Sequence, residues 1–242
     1  MASGYNFETM QIFYVPNISG AEVLLDETES KHAIRVLRLE KGEKVRLIDG
    51  KGGFYLAEIA EANPKKCKLA IFEFERNFGK RNFHLHIAIA PTKNNERLEW
   101  FIEKATEIGI GEITPLITER SERKSVNPER LEKILISAMK QSVKAFLPKL
   151  NNPQSFKELV KQPFDGKKFI AYIEEKQTVH LKNNIGKNDN VLVLIGPEGD
   201  FSPDEVKLAL QNGFQPVSLG ESRLRTETAG VVACHIVNLA ND

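Results

Sequence analysis

The chain has 242 residues, 41% of them hydrophobic, enough for a folded core that hides roughly 70% of the unfolded surface. Lysine and arginine number 34 against 33 aspartates and glutamates, a net charge of +1. This gives no global sign of nucleic-acid binding, for which a local patch is what matters. No apolar run approaches the roughly 18 residues of a membrane span, and the N-terminus lacks the basic and apolar regions of a signal peptide, so a soluble cytoplasmic protein with no membrane partner is expected.

The nine residues before Met10 read as an extension. "QIFYVP" and "EVLLD" are short strand candidates, and "ETESKHAIRVLRL" carries Ala33, Ile34 and Leu37 at helical spacing. "KGEKVRLIDGKGGFYLAEIAE" reads as two strands around a turn. "DGKGG" lacks the spacing and the Lys-Ser/Thr pair of a phosphate loop, so its glycines are expected to supply the positive φ of a hairpin turn. Cys67 and Cys234 show neither CxxC nor metal spacing and read as free thiols. A polar boundary falls at "ERNFGKRN", between a β-rich unit at 10–76 and a second unit at 77–242.

Beyond it the pattern becomes alternating strand and helix. "FHLHIAIA" is a strand that puts His84 and His86 on one face, read as structural residues and not as metal ligands; no metal site is expected. Residues 94–109 form an amphipathic helix closed by Gly109, on which Trp100 and Phe101 read as core or dimer-contact residues. "EITPLIT" is the next strand. Residues 127–146 are expected to be one long helix, with Asn127 as cap and Pro128 in the first turn. "KKFIAYI" and "NVLVLIG" are further strands; 191–195 is apolar throughout, as in a strand covered on both faces. The alternation implies an α/β layer with a mainly parallel sheet.

Two strand ends then carry unusual loops. After Ile195, "GPEGDFSPDEV" places a glycine-rich turn before a helix capped by Ser202, Pro203 and Glu205. After "PVSL", "GESRLRTETA" breaks the chain at Gly220 and starts a last helix that Thr226 can cap and Glu227 can favour through its dipole. Ligands of open α/β sheets bind beyond the carboxyl ends of strands. Arg223 and Arg225 are left over once the helix start is explained.

"IGPEGDFSPDEV" followed by "LGESRLRTETA" resembles the paired signature of the RsmE family of 16S ribosomal RNA (uracil-N3)-methyltransferases, in the SPOUT superfamily. "EKATEIGIGEITPLITERS" and "SAMKQSVKAFLP" are similar to two further segments of that family, and the N-terminal unit is similar to its PUA-like β-barrel RNA-binding domain. The resemblance spans nearly the whole chain from Met10. It implies a C-terminal trefoil knot, a homodimer, and S-adenosylmethionine held by Leu194, Gly196, Gly199, Leu219, Gly220, Leu224 and Thr226. The expected substrate is a uridine of 16S rRNA or the small ribosomal subunit. The chain departs from the pattern at Asp200, usually glycine, at Ser222–Arg223, usually Arg-Ile or Arg-Val, and at Lys144, usually arginine.

Uridine N3 is a poor nucleophile until its proton leaves. Arg225 is the candidate to stabilise charge on the uracil oxygens, and Glu198 or Glu227 the candidate to accept the proton. Residues 31–51 carry seven basic side chains against three acidic ones, and 119–149 eight against four. From these stretches Lys31, Arg35, Arg38, Arg120, Arg123 and Lys144 are expected to meet RNA phosphates. The rival readings are methylation at another RNA position (a ribose 2′-oxygen, or tRNA) and a non-catalytic RNA-binding protein on the same scaffold.

Overall fold

The computed structural model describes residues 10–172 and 179–242; residues 1–9 and Ile173 of "KKFIAYI" lie outside the described residues. The chain divides into two compact units, one running to Lys80 and including Met139–Leu147, the other comprising Arg81–Ala138 and Pro148–Asp242.

In the first unit, strands β1 (Ile12–Tyr14), β2 (Glu22–Leu24), β3 (Lys44–Ile48), β4 (Phe54–Glu61) and β5 (Lys68–Glu75) form one sheet in the order β1-β3-β4-β5-β2. β1 runs parallel to β3, and the other pairs are antiparallel. The order leaves β1 and β2 as the two ends. In hydrogen-bonding terms the expected barrel is therefore an open five-stranded sheet among the described residues. Helix α1 (Glu27–Lys31), capped by Asp26, runs on as a π-helical turn, His32–Val36. It lays Ala33 on a core of Phe13, Val45, Leu47, Ile59 and Leu69. The "DGKGG" glycines serve the turn between β3 and β4: Gly50 and Gly52 have φ of 73° and 99°, and Asp49 accepts from the amides of Lys51 and Gly53 at 2.7 and 2.8 Å.

The second unit starts with β6 (Leu85–Ile89), α2 (Asn95–Ile108), β7 (Glu112–Ile117) and α3 (Pro128–Gln141). The helix expected to reach residue 146 thus stops at Gln141. The amide of Lys144 bonds back to the carbonyl of Met139 at 3.0 Å, and Val143 has a φ of 52°, a conformation no helix accepts. The chain turns there because Met139, Ala145 and Leu147 pack on Ile48 in the first unit. The first unit thus includes this excursion, which helical periodicity cannot announce. Then follow β8 (Lys149–Leu150), β9 (Gln154–Ser155), α4 (Phe156–Leu159), β10 (Lys167–Ala171), β11 (Val179–His180), β12 (Val191–Ile195), α5 (Pro203–Gln211), β13 (Gln215–Ser218) and α6 (Thr226–Leu239).

The sheet order is β11-β13-β10-β12-β6-β7-β8, with β9 on β7, and every ladder is parallel. All five residues of β12 are buried, as its unbroken apolar run requires when helices cover both faces. His84 meets Glu112 at 3.0 Å and His86 meets Thr114 at 2.8 Å across the β6–β7 pair. Burial pushes the His86 imidazole down to about 4, so it stays neutral. The His84 contact, chiefly, holds the Glu112 carboxyl well below the usual carboxylate range. Both cysteines are buried and outside any disulfide among the described residues, and the Cys234 thiol donates to the Ala105 carbonyl at 3.7 Å.

Helix α6 packs on α2, β6 and β12, and Gly230 permits the close approach. A Cβ there would lie 2.6 Å from the Phe101 ring and 2.9 Å from Ile89 Cδ1. Gly230→Val is expected to cost about 1–3 kcal/mol through overpacking. The melting temperature should fall by roughly 2–4 °C per kcal/mol, with an unchanged value contradicting the packing argument.

Candidate functional site

The site grows from two strand ends in the second unit. After β12, Pro197 to Asp200 form a turn closed by a 2.9 Å bond from the Asp200 amide to the Pro197 carbonyl. Asp200 takes φ 61°, the left-handed conformation that glycine adopts most easily and that aspartate tolerates better than most residues. Its Oδ1 accepts from the Phe201 amide at 2.7 Å, so the departure from glycine at this position brings its own local partner. Phe201 is 2% exposed and packs in the core below the turn. Gly196 lies above that ring, where an added Cβ would stand 3.1 Å from it. Ser202 and Glu205 form the expected capping box. Glu205 also accepts from the Glu119 amide at 2.9 Å, and Arg120 donates to the Gly199 carbonyl at 2.8 Å. The loop after β7 is thereby stitched to the loop after β12.

The second loop follows β13. Gly220 has φ 132°, and a Cβ there would enter open space. The structure corrects the expected start of α6. The N-cap is Arg225, with no side-chain capping bond, and Thr226 is the first helical residue. Its hydroxyl donates to the Gly196 carbonyl at 3.0 Å. Thr226 ties the two loops together, which is why it is not available as a cap.

Between the loops, at the carboxyl ends of β10, β12 and β13, lies a cavity of about 710 Å³, within the range of small-molecule sites. Gly196, Glu198, Leu219, Gly220, Leu224, Arg225 and Thr226 line it, and so do Arg97, Arg223 and Asp200. Two residues expected here sit differently: Leu194 is fully buried within β12, and Gly199 is held by Arg120 outside the lining. Glu227 faces a second, smaller cavity of about 470 Å³, walled by Glu96, Arg97, Trp100, Leu224, Thr228 and the two arginines of the loop. Arg97 and Arg223–Arg225 border both cavities.

The two candidate carboxylates differ sharply. Glu198 is exposed and accepts from the Lys93 amide at 3.3 Å. Glu227 is 7% exposed. Its Oε1 is 3.8 Å from Arg97 Nε, and its buried Oε2 has no hydrogen-bond partner among the described residues.

The candidate phosphate contacts fall on both units. In the first, Arg35 and Arg38 are exposed, Lys31 pairs with Glu27 at 2.6 Å, and Lys144 is half-buried. Arg46, counted in the basic stretch, is only 9% exposed and binds the Met10 carbonyl. In the second unit Arg120 and Arg123 bind the carbonyls of Gly199 and Lys93, so both brace loops. The sequence reading missed Arg97, which looked like one more polar residue of an amphipathic helix, and it placed Trp100 as a core or dimer-contact residue. Phe101 is core, but Trp100 is 42% exposed and lines the smaller cavity. It also missed Phe72 and Phe74 on β5, 48% and 58% exposed, with Lys44 and Arg76 over their rings at 5.3 and 5.7 Å. The alternating "KLAIFEFE" was the available signal.

Residues 79–238 match the family of RNA methyltransferase domains, and residues 25–72 match the RNA methyltransferase PUA domain. The chain is 30% identical over 211 residues, 84% of each chain, to a ribosomal RNA small subunit methyltransferase E from Rickettsia conorii. It is also similar to the crystal structure of a probable rRNA-methyltransferase from Porphyromonas gingivalis, with 43% identity, a TM-score of 0.89, and 96% and 98% of the two chains covered. For a ribosomal RNA small subunit methyltransferase E from Neisseria gonorrhoeae bound to S-adenosyl methionine, the values are 26%, 0.84, 93% and 95%.

Proposed function

The chain belongs to the ribosomal RNA small subunit methyltransferase E family, and from that membership we propose that it methylates N3 of a uridine in 16S rRNA of the small ribosomal subunit, using S-adenosylmethionine. The observation that carries this reading is the cavity at the ends of β10, β12 and β13. Two glycine-opened loops wall it, and the Thr226–Gly196 bond locks one to the other.

The residues present fit that cofactor. Gly196 and Gly220 expose backbone where a side chain would intrude, Leu219 and Leu224 offer apolar walls to a flat purine, and the Gly196–Thr226 loops supply polar groups. Leu194 and Gly199 act from behind, one filling β12 and the other held by Arg120. When bound, the cofactor supplies an activated methyl on a sulfonium. The chain must bring the uracil in line with that methyl, a positioning task worth roughly 7–11 kcal/mol of barrier. It must also favour the uracil anion. Arg225, exposed and bordering both cavities, donates to the oxygens where charge develops; Glu198 or Glu227 accepts the N3 proton.

Three further features belong to the same reading. β12 lies between β6 and β10, and β13 beyond β10, while α6 returns to β6 and β12; this order supports a trefoil knot through the cofactor loops. Val232, Ile236 and Leu239 form a partly uncovered apolar row on α6, with Leu239 60% exposed, which supports a homodimer. Lys31, Arg35, Arg38 and Lys144, with Phe72 and Phe74, offer charge and stacking surface to RNA from the first unit, and Arg120 and Arg123 offer charge from the second. A ribosomal RNA substrate supports a cytoplasmic location; among the described residues no helix is long and apolar enough to cross a membrane.

Calorimetric titration of the full chain with S-adenosylmethionine separates this reading from a non-catalytic RNA-binding one. Saturable binding is expected, and its absence would overturn the methyltransferase assignment.

A further inference from the structure

Three features mark the smaller cavity. It shares Arg97 and the Arg223–Arg225 loop with the larger one. Its wall holds Glu227, whose side chain is 10% exposed and whose Oε2 lacks any partner among the described residues. Its rim carries Trp100, with 42% of its surface open.

A buried carboxylate oxygen with no donor is costly, so a ligand that brings a donor to Glu227 is favoured over one that brings another acceptor. Arg97 does not meet that need: its Nε stands 3.8 Å from Oε1, beyond a hydrogen bond, which leaves its N–H groups for a second acceptor. The wall therefore asks for a flat molecule with a donor flanked by acceptors. Uracil has that edge: N3–H lies between O2 and O4. Cytosine presents a bare nitrogen at N3, which would face the carboxylate with like charge density.

We propose that this cavity seats the target uracil. Trp100 stacks on the ring, the Glu227 carboxylate accepts the hydrogen bond from N3–H, and Arg97 and Arg225 donate to the flanking oxygens. The proposal rests on the methyltransferase reading and resolves its open choice of proton acceptor in favour of Glu227. In the reaction the N3–H bond breaks and its proton passes to Glu227. The freed N3 electron pair forms the bond to the methyl carbon, and the carbon–sulfur bond breaks with its electrons left on sulfur. Glu227 is thus catalytic, and Arg97 and Trp100 set specificity for the base.

Trp100 is the only tryptophan in the chain, so its emission reports on this cavity alone. The full chain, saturated with S-adenosylhomocysteine, is titrated with hexauridylate and with hexacytidylate. Hexauridylate is expected to quench the emission saturably, and hexacytidylate at least tenfold more weakly. Glu227→Gln is expected to bring the two curves together. It should also lower methyl transfer to small ribosomal subunits about 10²–10⁴-fold, with S-adenosylmethionine affinity by calorimetry unchanged within twofold. Equal quenching by the two oligomers in the unaltered chain, or no quenching, overturns the proposal without needing the variant to fold; so does preserved discrimination in Glu227→Gln. If the cofactor binds and hexauridylate does not quench, only this inference falls. If the cofactor itself fails to bind, the methyltransferase reading falls with it.

Discussion

Replacing Arg225 by alanine is expected to slow single-turnover methyl transfer about 10²–10³-fold, the usual loss when one preorganised donor to a developing anion is removed. The residue stands at the N-cap of α6 without a capping bond from its side chain. Its removal therefore leaves the helix start intact. Cofactor affinity should change by no more than a few-fold, because the loop is held by the Thr226 hydroxyl on the Gly196 carbonyl. Lysine at the same place keeps the charge and loses the planar fork, so it should recover part of the rate. Full activity in Arg225→Ala would remove this residue from the chemistry.

The second large effect is expected at Gly220. Its φ of 132° is closed to a β-branched residue. Holding valine there costs on the order of 1–3 kcal/mol, unless the loop moves. Either outcome acts on the cavity wall, since Gly220 lines it. Gly220→Val should weaken S-adenosylmethionine binding by roughly 10- to 100-fold, a factor of ten for each 1.4 kcal/mol. The melting temperature of the cofactor-free protein should fall only by what that strain requires, roughly 2–4 °C per kcal/mol, because no atom lies within 4 Å of the missing Cβ to add a clash. A dissociation constant equal to that of the unaltered chain would show that the loop does not grip the cofactor.

The parts of this architecture legible in the sequence are those set by local physics. The apolar run 191–195 announces a strand covered on both faces, Ser202-Pro203-Asp204-Glu205 announces a capped helix, and "DGKGG" announces a glycine-dependent turn. Features set by distant residues were not legible. The end of α3 is dictated by where Met139 and Ala145 pack, and Thr226 looked like a cap because its true partner, Gly196, is 30 positions away. The candidate site was half legible. Glycines at strand ends pointed to the cavity, whereas Arg97 and Trp100, on a helix more than 120 residues before the loop they meet, carried only the pattern of an amphipathic helix. The order of the parallel strands likewise cannot be read from alternation.

The proposed reaction is transfer of a methyl group from S-adenosylmethionine to N3 of a uridine in small-subunit ribosomal RNA. The most direct test incubates the purified protein with isotope-labelled S-adenosylmethionine and small ribosomal subunits from cells lacking its gene, then identifies the labelled nucleoside by mass spectrometry. The account predicts label in N3-methyluridine. Label in a 2′-O-methyl nucleoside, or none in ribosomal RNA, would contradict it.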